Sequence, residues 1–227
     1  MWFKQASTFF SKEEQQQIAA AVGEAEARTS AEIVPVVVSA SGRYDRAEDI
    51  CGLWTALIFL GFAYFLVPQA RPEPGTWDFA WSTWELPIYL LAVLLGFLVG
   101  TVKANYVAPL RQLFTPRVQM REEVEGRARQ LFVDQRIHHT QGATGLLIYL
   151  SLYEHMASVI ADATVTEKLG QEALDALCEE LTAGLRSGKP AEALCQTIRG
   201  AGARLSAVLP REGGTVNELP DALVMLD

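Results

Sequence analysis

The chain has 227 residues, half of them hydrophobic, and 27 Asp and Glu against 19 Lys and Arg give a formal net charge of −8. That size allows one globular domain with an added segment, or two small domains. The acidic balance and the lack of any Lys/Arg-rich block exclude nucleic acid and disfavour acidic partners, because phosphate binders need clustered cations to displace counterions.

The N-terminus, Met1–Ala6, has no basic region followed by an apolar one and a small-residue cleavage site, so it does not read as a secretory signal. Ser11 with Glu14 forms a capping box, and Ile18, Val22 and Ala25 recur at helical spacing, which predicts a helix from about Lys12 to Arg28. Thr29 and Ser30 end it. Glu32–Val38 is short and β-branched and predicts a strand, with Pro35 placed at an edge, a bulge or the strand start because it brings no ladder donor. Gly42–Ile50 reads as a polar linker.

Two charge-free runs follow, Cys51–Val67 and Leu86–Val102. A run of about 17 apolar residues is near the lower limit for crossing a hydrocarbon core as a helix. Neither run carries a polar stripe, and Pro87 falls near a helix start where it is tolerated, so the pair predicts a transmembrane hairpin lying in a lipid bilayer. Arg43, Arg46, Lys103, Arg111, Arg117 and Arg121 flank it on one side, against only Arg71 in the connection Pro68–Glu85. The positive-inside rule then places the rest of the chain in the cytoplasm, at a cell (inner) membrane. Trp77, Trp81 and Trp84 in that connection fit anchoring at the membrane interface, where an apolar ring with one N–H donor is best placed.

Beyond the hairpin, Val118–Gln135 carries Val124, Ala128, Leu131 and Phe132 on one stripe and predicts an amphipathic helix. Gly142–Gly145 separates it from Leu146–Leu152, an apolar run suited to a strand buried on both faces. Tyr153–His155 reads as a turn into a second strand, Ala157–Ala161. A capping box of Thr164 and Glu167 opens a helix running to Ser187-Gly188, and Pro190 opens the last one, whose Leu194, Ile198, Leu205 and Leu209 are spaced for burial. The order α, β, hairpin, α, β, β, α, α predicts an α/β fold with a small mixed central sheet: two parallel strands joined by a crossover helix, then an antiparallel pair. Residues 1–50 and 104–227 form one domain, and the hairpin at 51–103 is an insertion into it.

Motifs of phosphate loops, zinc proteases, serine hydrolases and CxxC redox sites are absent, and no catalytic residue is assigned. Cys51, Cys178 and Cys195 imply no disulfide framework and read as small buried residues. Adjacent His138 and His139 diverge too far to share one metal and read as a polar turn; His155 reads as solvated. The better chemical candidates are carboxylates. Glu26 ends the first helix, Glu32 begins the first strand, Asp162 closes the third, and Glu218 and Asp221 lie near the C-terminus. Convergence of strand ends would gather these five into an oxygen-only site suited to Ca²⁺ or another divalent cation.

Glu26-x-x-Thr29-Ser30-x-Glu32-Ile33, Thr140-x-x-Ala143-Thr144-Gly145-Leu146-Leu147-Ile148 leading to Ser151-Leu152-x-Glu154, Val159–Asp162 and Asn217–Asp221, in that order, resemble the TPM domain family. The resemblance covers about 9–39 and 118–221. It implies an αβα sandwich whose Asn217–Asp221 segment packs back on the domain. It also implies a role among those linked to the family: photosystem repair, receptor modulation and unassigned bacterial membrane functions, with phosphatase activity and calcium binding suggested for some members. Two features differ from the simpler family pattern: the hairpin interrupts the domain, and the acidic stretch after the third strand is reduced to Asp162-Ala163-Thr164. The function expected from the residues and the resemblance together is a non-catalytic, membrane-tethered module. Through an unidentified membrane-protein partner it would assist assembly or maintenance of complexes. The alternative is a metal-dependent phosphatase at the membrane surface.

Overall fold

A computed structural model describes residues 5–42, 44–68, 75, 85–106, 115–139, 143–211 and 219–227. The described residues divide into two compact units, one of 5–42 with 118–227 and one within 44–117.

The first is an α/β unit. After the single turn α1 (Ala6–Phe9), helix α2 (Lys12–Glu26) opens on the expected capping box: Glu14 N donates to Ser11 Oγ at 3.2 Å and Ser11 N donates to Glu14 Oε2 at 2.8 Å. This satisfies two amides that a helix start leaves orphaned. The helix buries Ile18, Ala21, Val22 and Ala25 and delivers the chain to β1 (Glu32–Val38).

Four strands form one sheet in the order β3-β2-β1-β4, with β2 at Gly145–Ser151, β3 at Met156–Ala161 and β4 at Val224–Leu226. β1 and β2 are parallel, in register from Glu32 opposite Gly145 to Val38 opposite Ser151, while β2 and β3 are antiparallel. This is the predicted mixed topology. The short β4, parallel to β1 at Val36–Val38, is an addition: three residues leave too little pattern to read.

Side-chain alternation splits the core in two. Ile33, Val37, Leu146, Ile148 and Leu150 face α2 and two further helices, α7 (Gln171–Arg186) and α8 (Pro190–Val208), meeting Leu177, Leu181, Leu194 and Ile198. Val34, Val36, Val38, Leu147 and Tyr149 face Val124, Ala128 and Leu131 of α5 (Arg117–Asp134). Helices therefore cover both faces, and every residue of β1 and β2 is buried, which is why these strands read as nearly unbroken apolar runs.

Pro35 sits in a central strand rather than at an edge. The amides of Ile33 and Ser39 point toward β4, Ser39 N donating to Leu226 O at 2.9 Å. By the period of two, the nitrogen of Pro35 faces that same side, one position before β4 begins at Val36. A missing donor costs nothing there because, among the described residues, no partner strand reaches it.

The helix expected from Thr164 onward is two. Asp162, not Thr164, is the cap: its Oδ1 accepts from Ala163 N at 2.8 Å and starts α6 (Ala163–Leu169). Gly170, at φ +82°, then breaks the chain before α7. Only glycine takes that conformation without strain.

The second unit consists of α3 (Asp45–Leu66) and α4 (Glu85–Tyr106), each 22 residues long, about 33 Å at 1.5 Å per residue. α3 begins within the stretch read as a polar linker, because Asp45–Ile50 continues the helix that the apolar run requires. The two helices are antiparallel and meet along glycines. A Cβ added at Gly100 would lie 2.7 Å from Cys51 O, one at Gly96 2.8 Å from Ala56 Cα, and one at Gly52 2.8 Å from Thr101 Cγ2. Both helices are long and apolar enough to cross a membrane, over Glu48–Leu66 and Glu85–Ala104.

Candidate functional site

The turn between α2 and β1 brings three of the five predicted carboxylates toward one another. Glu26, the last residue of α2, is 9% exposed, and its Oε1 accepts from the Ile33 amide at 2.7 Å. A side chain thus occupies the flank of β1 that β4 is too short to reach. Glu32 follows at the start of β1, 8% exposed, with its amide donating to Thr144 O at 3.3 Å. Asp221 approaches from the C-terminal segment: a Cβ at Gly23, one helical turn before Glu26, would stand 3.1 Å from Asp221 Oδ2. The absence of a side chain at Gly23 is what makes room for that carboxylate.

These neighbours set the chemistry of Glu26. Burial pushes its carboxyl up to about 8, and the charges of Glu32 and Asp221 push the same way; the hydrogen bond from the Ile33 amide opposes them. Its Oε2 is buried and meets no donor among the described residues. A proton on Glu26 removes one of three crowded negative charges and lets it donate to Asp221. The Arg211 guanidinium lies nearby but donates to the Glu26 backbone carbonyl, at 3.1 Å, completing the C-terminal end of α2.

Asp162 does not join this group. Its amide donates to Gly145 O at 2.9 Å, which fixes it beside β2 on the far side from β1, and its Oδ1 is spent on the α6 cap. Two strand spacings, about 9–10 Å, separate its strand from Glu32. Glu218 lies outside the described residues, as do Trp77, Trp81 and Trp84. Among the described residues no group of three or more His, Cys, Asp or Glu side chains is placed to hold a metal ion. His138 lies in a 3-10 turn, its ring 6.5 Å from that of Phe132, and His155 is exposed at φ +52°. The three cysteines are free.

A second polar cluster occupies the carboxyl ends of β1 and β2. Glu154, read as part of a turn, is 6% exposed; its Oε1 accepts from Ser41 N at 2.9 Å and its Oε2 accepts from Ser151 Oγ. Ser41 Oγ donates to Ser151 Oγ at 2.9 Å and meets the Tyr149 hydroxyl at 2.8 Å. Burial pushes Tyr149 up to about 12, so it stays a neutral phenol. The spacing of Ser151 and Glu154 across a tight turn is the signal that marks this cluster, together with a tyrosine on an otherwise aliphatic strand. The glycine seam of the helical unit carries a plainer one: Gly96-x-x-x-Gly100 within an apolar helix.

No family model and no curated protein matches the chain. Among solved structures it is similar to the NMR structure of BA42 protein from the psychrophilic bacterium Bizionia argentinensis, with a TM-score of 0.55 over 96% of each chain and 15% sequence identity. A likeness at that identity speaks for the fold, a mixed α/β arrangement around a small four-stranded sheet.

Proposed function

We propose that this protein is a membrane-tethered TPM-like domain: an αβα sandwich held at a cell membrane by the α3–α4 hairpin and acting as a non-catalytic interaction module for membrane-protein complexes. The observation that carries this reading is the exposure of the hairpin. Phe65 is 86% and Leu66 77% exposed, and large apolar residues continue along both helices, which meet one another through glycine. Helices of that length and surface suit acyl chains, whereas water would penalise each exposed leucine by about 1.5–3 kcal/mol. The flanking cations support a cytoplasmic α/β unit. Alkaline carbonate treatment of native membranes should leave the full chain in the pellet, and a reporter active only in the cytoplasm should give signal at the C-terminus. Release into the supernatant refutes the anchor; a silent cytoplasmic reporter with an active external one refutes the orientation.

The second reading, a divalent-cation-dependent phosphatase, draws on Glu26, Glu32 and Asp221, three carboxylates on neighbouring segments of which one favours its proton; they are not gathered closely enough to ligate an ion as they stand, so binding requires them to draw together. A hard cation such as Ca²⁺ would take the place of that proton and relieve the repulsion. Calorimetric titration of the full chain with Ca²⁺ and Mg²⁺ tests it: binding with proton release, lost in Glu26→Gln, supports the site, and no heat at millimolar cation rejects it. Turnover of a phosphate ester that is unchanged in Asp162→Ala removes Asp162 from any such chemistry.

A further inference from the structure

We infer that the α3–α4 hairpin is a closed, single-copy lipid anchor, covered by acyl chains over its whole outer surface rather than by a transmembrane helix of a partner or of a second copy. This rests on the membrane reading above and sharpens it, because any protein partner must then be met by the α/β unit.

Helices in lipid gain nothing from burying leucine against leucine, so they associate where small residues let backbones approach or where polar side chains bond across. This hairpin turns three of its four described glycines and the hydroxyls of its threonines inward or onto its own backbone, leaving Gly61 and the aromatic polar tips of Trp54 and Tyr64 outside. Gly52, Gly96 and Gly100 lie on the contact between α3 and α4, so close that a methyl group at any of them would strike the other helix within 2.7–2.8 Å. The hydroxyls of Thr55 and Thr101 bond to carbonyls one turn back in their own helices, Cys51 O at 2.8 Å and Phe97 O at 3.0 Å. Their protons are spent within their own helices and are not offered to a neighbouring helix.

The remaining surface is large and apolar. On α3, Leu53, Leu57, Ile58, Phe62, Phe65 and Leu66 are each at least half exposed, and at 100° per residue they span about 220°, more than half of the helix. Leu90 and Leu94 lead the same pattern on α4. The spans of 19 and 20 residues come to about 28–30 Å, the thickness of a hydrocarbon core, so surface and length both match acyl chains. Gly61 is the one outward glycine among the described residues of α3 and α4, and an added side chain there meets nothing within 4 Å. It is the position where a docked helix would be felt.

The test uses the full chain in phosphatidylethanolamine–phosphatidylglycerol nanodiscs, with native mass measurement and a phospholipid bearing a photoreactive acyl chain. The expected result is one copy per disc, lipid adducts on both Phe62 and Leu94, and no change in copy number or labelling in Gly61→Leu. Two copies per disc, or a face of either helix protected from labelling and opened by Gly61→Leu, overturns the inference in favour of a second copy. A protected face seen only in native membranes overturns it in favour of a partner helix. Failure to enter the discs, with no lipid adduct at all, instead defeats the membrane reading on which the inference stands.

Discussion

Replacing Glu26 by glutamine should make the protein more stable at high pH and nearly leave it alone at low pH. The folded-state carboxyl sits at about 8 against an ordinary value of 4.5. Below 4.5 the group is protonated in both folded and unfolded chains and contributes no pH dependence. Between 4.5 and 8 the folded chain holds a proton that the unfolded chain has released, so stability falls by about 1.4 kcal/mol per pH unit. Above 8 the fall levels off. The full span corresponds to roughly 5 kcal/mol, an upper bound because water entry and local rearrangement relieve part of the burial penalty and of the smaller repulsion from Glu32 and Asp221. The glutamine side chain would keep an oxygen for the Ile33 amide and present an N–H₂ to Asp221, so the variant retains the contacts without the titration. Urea unfolding of the full chain in detergent at pH 5, 7 and 9, followed by thiol labelling of Cys195, which is buried in the α/β core, reads the unit concerned. Wild type should lose several kcal/mol from pH 5 to 9 relative to Glu26→Gln. Parallel pH profiles for the two proteins would refute the claim that Glu26 is held protonated by burial beside Glu32 and Asp221.

Three further perturbations have expected outcomes. Ser11→Ala removes the reciprocal cap of α2 and should cost about 1 kcal/mol in urea unfolding, while Glu14→Gln, which keeps the box geometry, should cost less. Glu154→Leu leaves the Ser41 amide and the Ser151 hydroxyl without their acceptor and should destabilise the α/β unit by about 2–4 kcal/mol, with faster hydrogen exchange at Ser41. Gly170→Ala forces a Cβ into φ +82° and should lower stability by about 1 kcal/mol, although nothing crowds the site; an unchanged or raised melting temperature would mean the α6–α7 break is not set by glycine.

How far the chain can be read from its residues alone depends on whether the informative interaction is local. The α2 cap, the β1 and β2 runs, the α5 stripe and the hairpin are each written within a few residues of one another, and each appears in place. β4 and the split at Gly170 are not legible. A three-residue strand is created by an edge it finds on β1, and a single glycine in an otherwise periodic leucine pattern does not announce its φ. Among the site residues, Glu26 and Glu32 are within reach because a helix end and a strand start joined by five residues must be close. Asp221 joins them through a gap at Gly23 that only the tertiary fold displays. Asp162 stays apart because strands that end at the same edge need not be neighbours; β2 stands between. Glu154 looks like an ordinary turn residue because its partners, Ser41 and Ser151, come from two different strand ends.

The insertion point of the hairpin has a consequence for how the chain can be made. β1 and β2 are adjacent in the sheet and pair along their whole length, yet their first residues, Glu32 and Gly145, are separated by both long apolar helices. During synthesis, α2 and β1 appear early with Ile18, Val22 and Ile33 lacking most of their neighbours, because β2, α7 and α8, which supply Leu146, Leu177 and Ile198 to that core, are all made after the insertion. Closing a loop of that length costs little more than closing one of half the size if its ends are free. A helical pair zipped along its glycines brings its own two ends back together, which shortens the effective loop. The first forty residues therefore gain their partners only after a segment that contributes no strand of its own has been made, and the core on the α2 side is complete only with α7 and α8, the last helices of the chain.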